Sequence, residues 1–307
     1  MTFDPNQLAA LAAILRHGSF EAAAHQLAVT PSAISQRLKA LEERVGTVLV
    51  HRATPCKATK AGRRLAKLAE DLTLLQGQAL SDLALPNDSA QHRPHVRIAV
   101  NADSLATWFI AAMAATPGLL FDLVLDDQDH SADWLRRGEV SAAITGHSAP
   151  VPGCNAHPLG AMQYVASASP TFVAQWFPKG LTQAALAQAP CLIFNQKDAL
   201  QHRWLKMQGA EDTMPPMHFL PSTQGFADAA IAGLGWGMNP LQLIQGALDT
   251  GHLEELNPGQ ARLEVPLTWQ VSRIMAPALA HLTKAVLHCA SAQLIPGAPQ
   301  RSRREEP

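Results

Sequence analysis

The chain has 307 residues, 47% of them apolar, and its 24 Lys and Arg against 25 Asp and Glu give a formal charge of −1. This length accommodates about two packed domains and a linker. No apolar run reaches the roughly 18 residues of a membrane span, and the N-terminus lacks the basic and apolar regions of a signal peptide. The four cysteines are dispersed without a CxxC pair, which argues against a disulfide framework or a zinc finger. We therefore expect a cytoplasmic protein without a metal or cofactor.

The charge is distributed unevenly along the chain. Residues 1–70 hold ten basic and five acidic side chains, a net +5, whereas the remainder holds 14 basic and 20 acidic ones, a net −6. A basic segment on an acidic body suggests a polyanionic partner for that segment. A chance excess of solvated charge explains the same count equally well. The charge count alone therefore does not distinguish a polyanion-binding segment from an ordinary solvated surface.

The first 46 residues predict three short helices. From Leu8 onward, apolar residues recur at the 3, 4 and 7 spacing of one helical face, and Gly18 ends the first helix. Ser19 is a candidate N-cap of the second helix, and Thr30, followed by Pro31 at the first helical position, begins the third.

The third helix carries an apolar stripe from Ile34 and a separate polar stripe. Helix, tight turn and helix, with small hydroxyl and amide side chains near the start of the second, is typical of a helix-turn-helix. Gln36 can pair bidentately with adenine, and Lys39 can meet a phosphate or a guanine. One amphipathic helix with a solvated face is the alternative, but three helices in tandem on a basic segment favour DNA binding.

A small β-hairpin follows the third helix. The apolar run at 48–50 and the turn at Thr54-Pro55 predict it, and its basic residues can reach phosphates or the minor groove. The predicted DNA contacts of the whole segment are Thr30, Pro31, Ser32, Ser35, Gln36, Lys39, Arg52 and Lys57.

A long helix is predicted from Thr59 to Leu85, about 40 Å at 1.5 Å per residue. Dimerisation explains its exposed apolar seam, because two paired heads then read half-sites related by a two-fold axis. A proline-bounded polar linker follows at 86–94. The seam consists of Leu65, Leu68, Leu72, Leu75 and Ala79.

The run GSFEAAAHQLAVTPSAISQRLKALEERVGTVLVHR at 18–52, followed by ATKAG at 58–62, resembles the DNA-binding head of LysR-type transcriptional regulators. Three later segments, FDLVLDDQDH, GAMQYVASASPTFVAQWF and GLGWGMNP, resemble the ArgP/LysG branch of that family, which senses basic amino acids and activates an amino-acid exporter. The pair Leu49-Val50 departs from the commoner Leu-Phe.

The family resemblance covers the whole chain and implies its domain organisation. Beyond the head, strands and helices alternate, which predicts an α/β fold with mostly parallel sheets. The resemblance implies two lobes of the periplasmic-binding-protein type, with crossovers near Met162–Val165 and Leu263–Trp269. The expected parts are a winged helix-turn-helix at 1–58, a linker and dimerisation helix at 59–89, an effector-binding domain at 90–298 (lobe 1 about 95–162 and 267–293, lobe 2 about 163–266) and a disordered tail at 299–307.

Ligands of such folds lie at the carboxyl ends of the strands, where helix N-termini supply a partial positive charge for a carboxylate. Five aspartates between Asp122 and Asp133 have no Lys or Arg among them, so this segment favours a cation, although a solvated acidic turn is the alternative. The resemblance favours the cation site, with the ligand's ammonium or guanidinium group toward Asp126 or Asp129. The predicted effector contacts are Asn101, Ser104, Asp126, Asp129, His130, Thr145, Asn195, Ser222 and Thr223.

These observations predict a LysR-type activator that senses lysine or arginine. We expect a homodimer or homotetramer on a pseudo-palindromic operator, contact with RNA polymerase and a basic-amino-acid exporter gene as the target. The alternatives are a regulator of other amino-acid metabolism with a different small effector, and a solute-binding module with non-specific DNA binding. An enzyme is not expected. No metal-binding Cys/His spacing accompanies His130, and the sequence contains no GxSxG motif of a hydrolase.

Overall fold

The computed structural model describes residues 2–85, 93–126, 131–146, 149–259 and 262–296. In these ranges, no helix combines the length and the apolar character that crossing a bilayer requires. The predicted tail at 299–307 and most of the predicted linker at 86–94 lie outside the described residues.

The N-terminal head is a three-helix bundle with a small wing, as the sequence predicts. The predicted caps are confirmed: Ser19 Oγ accepts from Ala22 N at 3.1 Å, and Thr30 Oγ1 accepts from Ala33 N at 3.2 Å. Gly18 ends the first helix in a left-handed conformation with φ 73°, where glycine avoids a steric penalty. The elements are α1 (Pro5–His17), α2 (Phe20–Gln26), α3 (Pro31–Val45), β1 (Val50–His51) and β2 (Lys57–Ala58).

A long helix, α4 (Lys60–Asp82), follows the wing. Thr59 caps it, because its Oγ1 accepts from Gly62 N at 3.0 Å. The helix ends three residues before the predicted Leu85, since Ala84 adopts a left-handed backbone with φ 51°. Its Glu70 Oε1 lies 3.0 Å from Arg16 Nη2 of α1, and burial raises the pKa of Glu70 even beside this guanidinium. The ion pair fixes α4 against the head.

The remainder of the chain forms an α/β domain around one seven-stranded sheet of described residues, with a separate two-stranded sheet beside it. Its elements in chain order are β3 (His95–Val100), α5 (Ala102–Ser104), a π-helical turn (Leu105–Phe109), α6 (Ile110–Ala114), β4 (Leu120–Leu125), α7 (Ser131–Arg136), β5 (Ala142–Thr145), β6 (Cys154–Ala168), α8 (Pro170–Trp176), α9 (Gln183–Gln188), β7 (Cys191–Ile193), α10 (Leu200–Met207), β8 (Met217–Phe219), α11 (Thr223–Ile231), β9 (Gly237–Pro240), α12 (Leu241–Asp249), β10 (Glu254–Glu255), β11 (Leu263–Ser272) and α13 (Ala280–Gln293).

The strand pairing is mixed, so the prediction of mostly parallel sheets was wrong. β3 pairs in parallel with β4 and β5, and β7 pairs in parallel with β8. β6 and β11 run antiparallel to each other, and further antiparallel pairs join them to β5, β9 and β10. The chain crosses between the lobes on two long strands, β6 and β11, which run in opposite directions. The alternation of strands and helices in the sequence does not show the direction of these strands.

The β6–β11 pair joins the two lobes. At one end, Val271 of β11 pairs with Ala142 of β5, and at the other end Ala166 of β6 pairs with Met238 of β9. Both predicted crossovers, near Met162–Val165 and Leu263–Trp269, lie in these two strands. One hydrophobic core extends through both lobes and includes the fully buried Trp108, Trp204, Trp236 and Trp269. The strands β3, β4 and β7 end beside a cavity between the lobes, which Asn101, Asp126 and Phe194 line.

Candidate functional site

The polar side of α3 lies on the outside of the head. Ser32 and Gln36 are exposed and Ser35 is half-buried, while the opposite side of the helix is buried in the head core. Thr30 Oγ1 accepts from Ala33 N and lies 2.9 Å from Ser32 Oγ. The Thr30 hydroxyl therefore fixes the start of α3, and Ser32, Ser35 and Gln36 remain as its short polar side chains. Pro31, at the first helical position, is exposed as well.

The basic side chains of the head are accessible. Lys39 Nζ lies 3.7 Å from Glu43 Oε1, and both side chains are largely exposed, so this ion pair contributes little to stability. Arg52 stacks over the Phe20 ring with its Cζ 5.1 Å from the centroid, which ties the wing to α2. Lys57 on β2 is exposed. A polyanion can reach each of these cationic groups.

A cavity of about 930 Å³ lies between the lobes, a volume typical of small-molecule sites. Lobe 1 contributes the residues after β3 and the end of β4, and lobe 2 contributes the loop after β7, part of α10 and the start of α11. The lone tyrosine of the chain, Tyr164 on β6, lines it as well. The predicted effector contacts that the structure brings together here are Asn101, Asp126, Asn195, Ser222 and Thr223.

Two other predicted effector contacts, Ser104 and Thr145, are not among the described residues that line the cavity. Ser104 is fully buried, and its Oγ has no hydrogen-bond partner among the described residues. Thr145 is also fully buried, and its hydroxyl accepts from Gln270 Nε2 of β11 at 3.0 Å. Asp129 and His130 lie outside the described residues.

The acidic segment is less negative than its sequence suggests. Asp122 Oδ2 lies 3.2 Å from Arg97 Nε, because β3 and β4 pair in the register that places these two residues side by side. Asp133 Oδ1 lies 2.6 Å from Arg136 Nη1 within α7. Of the aspartates that the structure describes in this segment, Asp126 is the one that lines the cavity.

Asp126 connects the two lobes across the cavity. Its Oδ2 accepts from Trp134 Nε1 at 2.8 Å, and its Oδ1 lies 3.8 Å from Lys197 Nζ in lobe 2. Its side chain is 24% exposed, so a cation in the cavity can reach it. This carboxylate therefore already has an ammonium group as its neighbour.

Asp103 forms a second bridge, which the sequence analysis missed. Its Oδ2 accepts from the Tyr164 hydroxyl at 2.5 Å, and its Oδ1 accepts from Thr223 Oγ1 at 2.8 Å. These contacts join lobe 1, the crossing strand β6 and the start of α11 in lobe 2. Two signals pointed to them: Asp103 follows a predicted strand, and Tyr164 is the one tyrosine in the sequence.

The cavity also presents groups for an anion. Arg203 on α10 lines it and is exposed, and its guanidinium has no hydrogen-bond or ion-pair partner among the residues that the structure describes. The N-terminus of α11 points its first N–H groups toward the same region, with Ser222 as the cap. Asp198, by contrast, accepts from the backbone N–H groups of Phe194 and Leu200, so it shapes the loop. The arrangement suits a ligand that carries both signs of charge.

Two family models match this chain. The model described as "Bacterial regulatory helix-turn-helix protein, lysR family" matches residues 5–63. The model described as "LysR substrate binding domain" matches residues 89–289. The two matches cover the head and the two-lobed domain respectively.

Known proteins are similar to the chain over nearly its whole length. The HTH-type transcriptional regulator LysG of Mycobacterium tuberculosis is 45% identical over 288 residues, 94% of each chain. The HTH-type transcriptional regulator ArgP of Pseudomonas aeruginosa is 44% identical over 291 residues, 93% of this chain and 95% of that protein.

Two solved structures are similar as well. The crystal structure of ArgP from Mycobacterium tuberculosis has a TM-score of 0.76 at 44% identity and covers 97% of this chain and 100% of that one. Full-length LysG from Corynebacterium glutamicum with bound effector Arg has a TM-score of 0.64 at 35% identity and covers 95% of this chain and 100% of that one.

Proposed function

This chain belongs to the LysR family of transcriptional regulators, and on that premise we propose that lysine or arginine is its effector and binds in the inter-lobe cavity. The protein is a regulator and not an enzyme. The observation that carries the proposal is the pair of carboxylates, Asp103 and Asp126, in a cavity that also holds Arg203, whose guanidinium has no ion-pair partner in the part of the chain that the structure describes.

The charges of the cavity complement those of a basic amino acid. Asp126 receives the side-chain ammonium or guanidinium, because its carboxylate lines the cavity and its Oδ1 lies where it already faces the ammonium group of Lys197. Asp103 receives the α-ammonium, and Arg203 with the start of α11 receives the α-carboxylate. The arginine bound to LysG from Corynebacterium glutamicum supports this class of ligand.

Occupancy of the cavity selects one arrangement of the lobes. The proposed ligand contacts come from both lobes and from β6 between them, so the ligand binds more tightly when the lobes are close together. A ligand with equal affinity for both arrangements shifts nothing, which makes this difference essential to any response. We propose that the selected arrangement changes how the paired heads lie on DNA.

The head binds DNA through α3 and the wing. Ser32, Ser35 and Gln36 read base edges in the major groove, while Arg52 and Lys57 contact phosphates or the minor groove. The working unit is a homodimer or homotetramer on a pseudo-palindromic operator, and it acts in the cytoplasm, where it meets the chromosome. Activation of a basic-amino-acid exporter gene through contact with RNA polymerase completes the proposal.

Calorimetric titration of lysine and arginine into the purified protein tests the ligand assignment. We expect both to bind, and Asp126→Asn to weaken them at least tenfold, about 1.4 kcal/mol, by removing the charge that holds the cation. Asp133→Asn is the matched control, because Asp133 belongs to the same acidic segment but pairs with Arg136 outside the cavity. Equal binding by wild type and Asp126→Asn would exclude Asp126 from the site.

A further inference from the structure

We infer that α7 couples the inter-lobe cavity to the linker helix α4, with Trp134 as the positioning residue for Asp126 and Arg64 as the contact at the far end of α7. This inference rests on the proposed function, because it concerns how an occupied cavity acts on the heads. The route of regulation that it assigns to the site runs through four contacts.

The first contact is at the cavity. Trp134 lies in α7, is half-buried, and donates from Nε1 to Asp126 Oδ2 at 2.8 Å. The other carboxylate oxygen, Oδ1, is the one that faces Lys197 at 3.8 Å. The indole N–H therefore fixes one oxygen of Asp126 and orients the other toward the cavity. A change in the position of Asp126 acts directly on Trp134.

The second contact lies on the Trp134 ring. Arg137 stacks over it, with Cζ 4.7 Å from the ring centroid, and Arg97 lies 6.0 Å from it. Arg137 is also held by Glu139, whose Oε1 accepts from its Nε at 3.0 Å. The ring and the turn after α7 therefore move as one packed unit.

The third contact joins that turn to α4. Arg64 Nη1 donates to Arg137 O at 2.9 Å, a carbonyl just beyond the last residue of α7, where helix carbonyls lack intrahelical partners. Gly138 adopts φ 63°, and a Cβ added there would lie 2.3 Å from Arg64 Nη1. A glycine is thus required for the guanidinium to approach the backbone this closely.

The fourth contact holds α4 on the lobe. Lys67 lies three residues after Arg64 on the same face of α4, and its side chain is 9% exposed. Its Nζ donates to Ser141 Oγ at 2.8 Å and forms an ion pair with Asp71. Because a buried ammonium group is costly without its partners, this contact resists separation of the helix from the lobe. Motion of α7 is therefore transmitted to α4 at Arg64.

The contacts form one continuous path from Asp126 through Trp134 and Arg137 to Arg64. Variants that break this path at either end test whether it couples the cavity to α4. Arg64→Ala removes the contact between α4 and the carbonyl of Arg137. Gly138→Ala displaces the same guanidinium but leaves its charge in place. This second variant tests the contact even if Arg64→Ala lowers the stability of the protein.

The experiment uses the full-length protein and a DNA duplex selected by it from random sequence, labelled at both ends to report bending and affinity together. We expect lysine to change the wild-type DNA complex, and Arg64→Ala and Gly138→Ala to lose most of that change while lysine still binds them. Arg63→Ala is the control for the arginine, because Arg63 donates to Ala58 O and not to the lobe. Gly209→Ala is the control for backbone strain, with φ 69° and no atom within 4 Å of its added Cβ.

Trp134→Phe tests the positioning role. The variant keeps a ring beneath Arg137 but cannot donate to Asp126, so we expect lysine binding to weaken several-fold in the wild-type background and to stay unchanged in the Asp126→Asn background. A purely structural role of Trp134 would weaken both equally and would contradict the assignment.

The outcomes separate the inference from the proposed function. If wild type binds lysine and responds to it, and Arg64→Ala and Gly138→Ala respond as fully, the coupling through α7 is overturned alone. If wild type binds neither lysine nor arginine, the proposed function fails and the coupling fails with it.

Discussion

At the scale of single residues, the carboxylates of the cavity form ion pairs and hydrogen bonds with other side chains that line it. Asp126 faces Lys197, and Asp103 accepts from Tyr164 and Thr223. The sequence indicated Asp126 and Thr223 from their places at strand ends and helix starts. It could not indicate Lys197 as a partner of Asp126, because the two lie 71 positions apart and on different lobes.

Lys197 faces the carboxylate that we propose for the effector's cation, so we expect it to compete with that cation. We expect Lys197→Met, which keeps the length of the side chain but removes its charge, to bind lysine about two- to fivefold more tightly, the range of an exposed ion pair. Calorimetric titration measures the change, with Lys179→Met, also exposed but outside the cavity lining, as the control. Weaker binding by Lys197→Met would mean that Lys197 holds the ligand.

Gln36 and Lys57 should differ in the kind of DNA binding they support. We expect Gln36→Ala to cost about 1–3 kcal/mol at one base position only, since a bidentate contact with adenine is lost. Lys57→Ala should weaken all duplexes alike and reduce the salt dependence of binding by about one charge. Competition assays over single-base variants of the duplex measure both. An equal loss on specific and scrambled duplexes for Gln36→Ala would exclude base reading by this residue.

At the scale of elements, the helices of the head and the start of α4 were predictable from the sequence. Capping residues and apolar spacing are local signals, which is why Ser19, Thr30 and Thr59 all cap as expected. The exposed apolar surface of α4 is smaller in the structure than the predicted seam. Leu65 packs on the head core and Leu75 on the lobe core, while Leu68 and Leu72 are 37% and 39% exposed. The sequence pattern cannot separate contacts within the chain from contacts with a partner.

The exposed leucines of α4 carry the prediction of self-association. We expect the pair Leu68→Ser and Leu72→Ser to weaken dimerisation at least tenfold, because burying a leucine contributes about 1.5–3 kcal/mol. Sedimentation equilibrium measures the association, and Gln76→Ser, an exposed position on the same helix, is the control. An unchanged oligomeric state in the double variant would place the dimer contact on another surface.

At the scale of the whole molecule, the two-lobed architecture followed from the family resemblance, whereas the sheet order did not follow from local patterns. β6 and β11 each serve both lobes, so their partners are set by pairings between strands about 100 residues apart. The same topology explains the cavity. Residues after β3, on β6 and at the start of α11 meet there through the fold, as the contact between Asp103 and Thr223 shows.

We propose that a cation in the inter-lobe cavity controls the complex with DNA. Titration of lysine, arginine and norleucine into the protein bound to its selected, end-labelled duplex tests this control, because norleucine has the α-groups and the aliphatic chain of lysine without the side-chain charge. We predict that lysine or arginine changes the bending or the affinity of the complex and that norleucine does not. An equal response to norleucine, or no response to any of the three, would contradict the account.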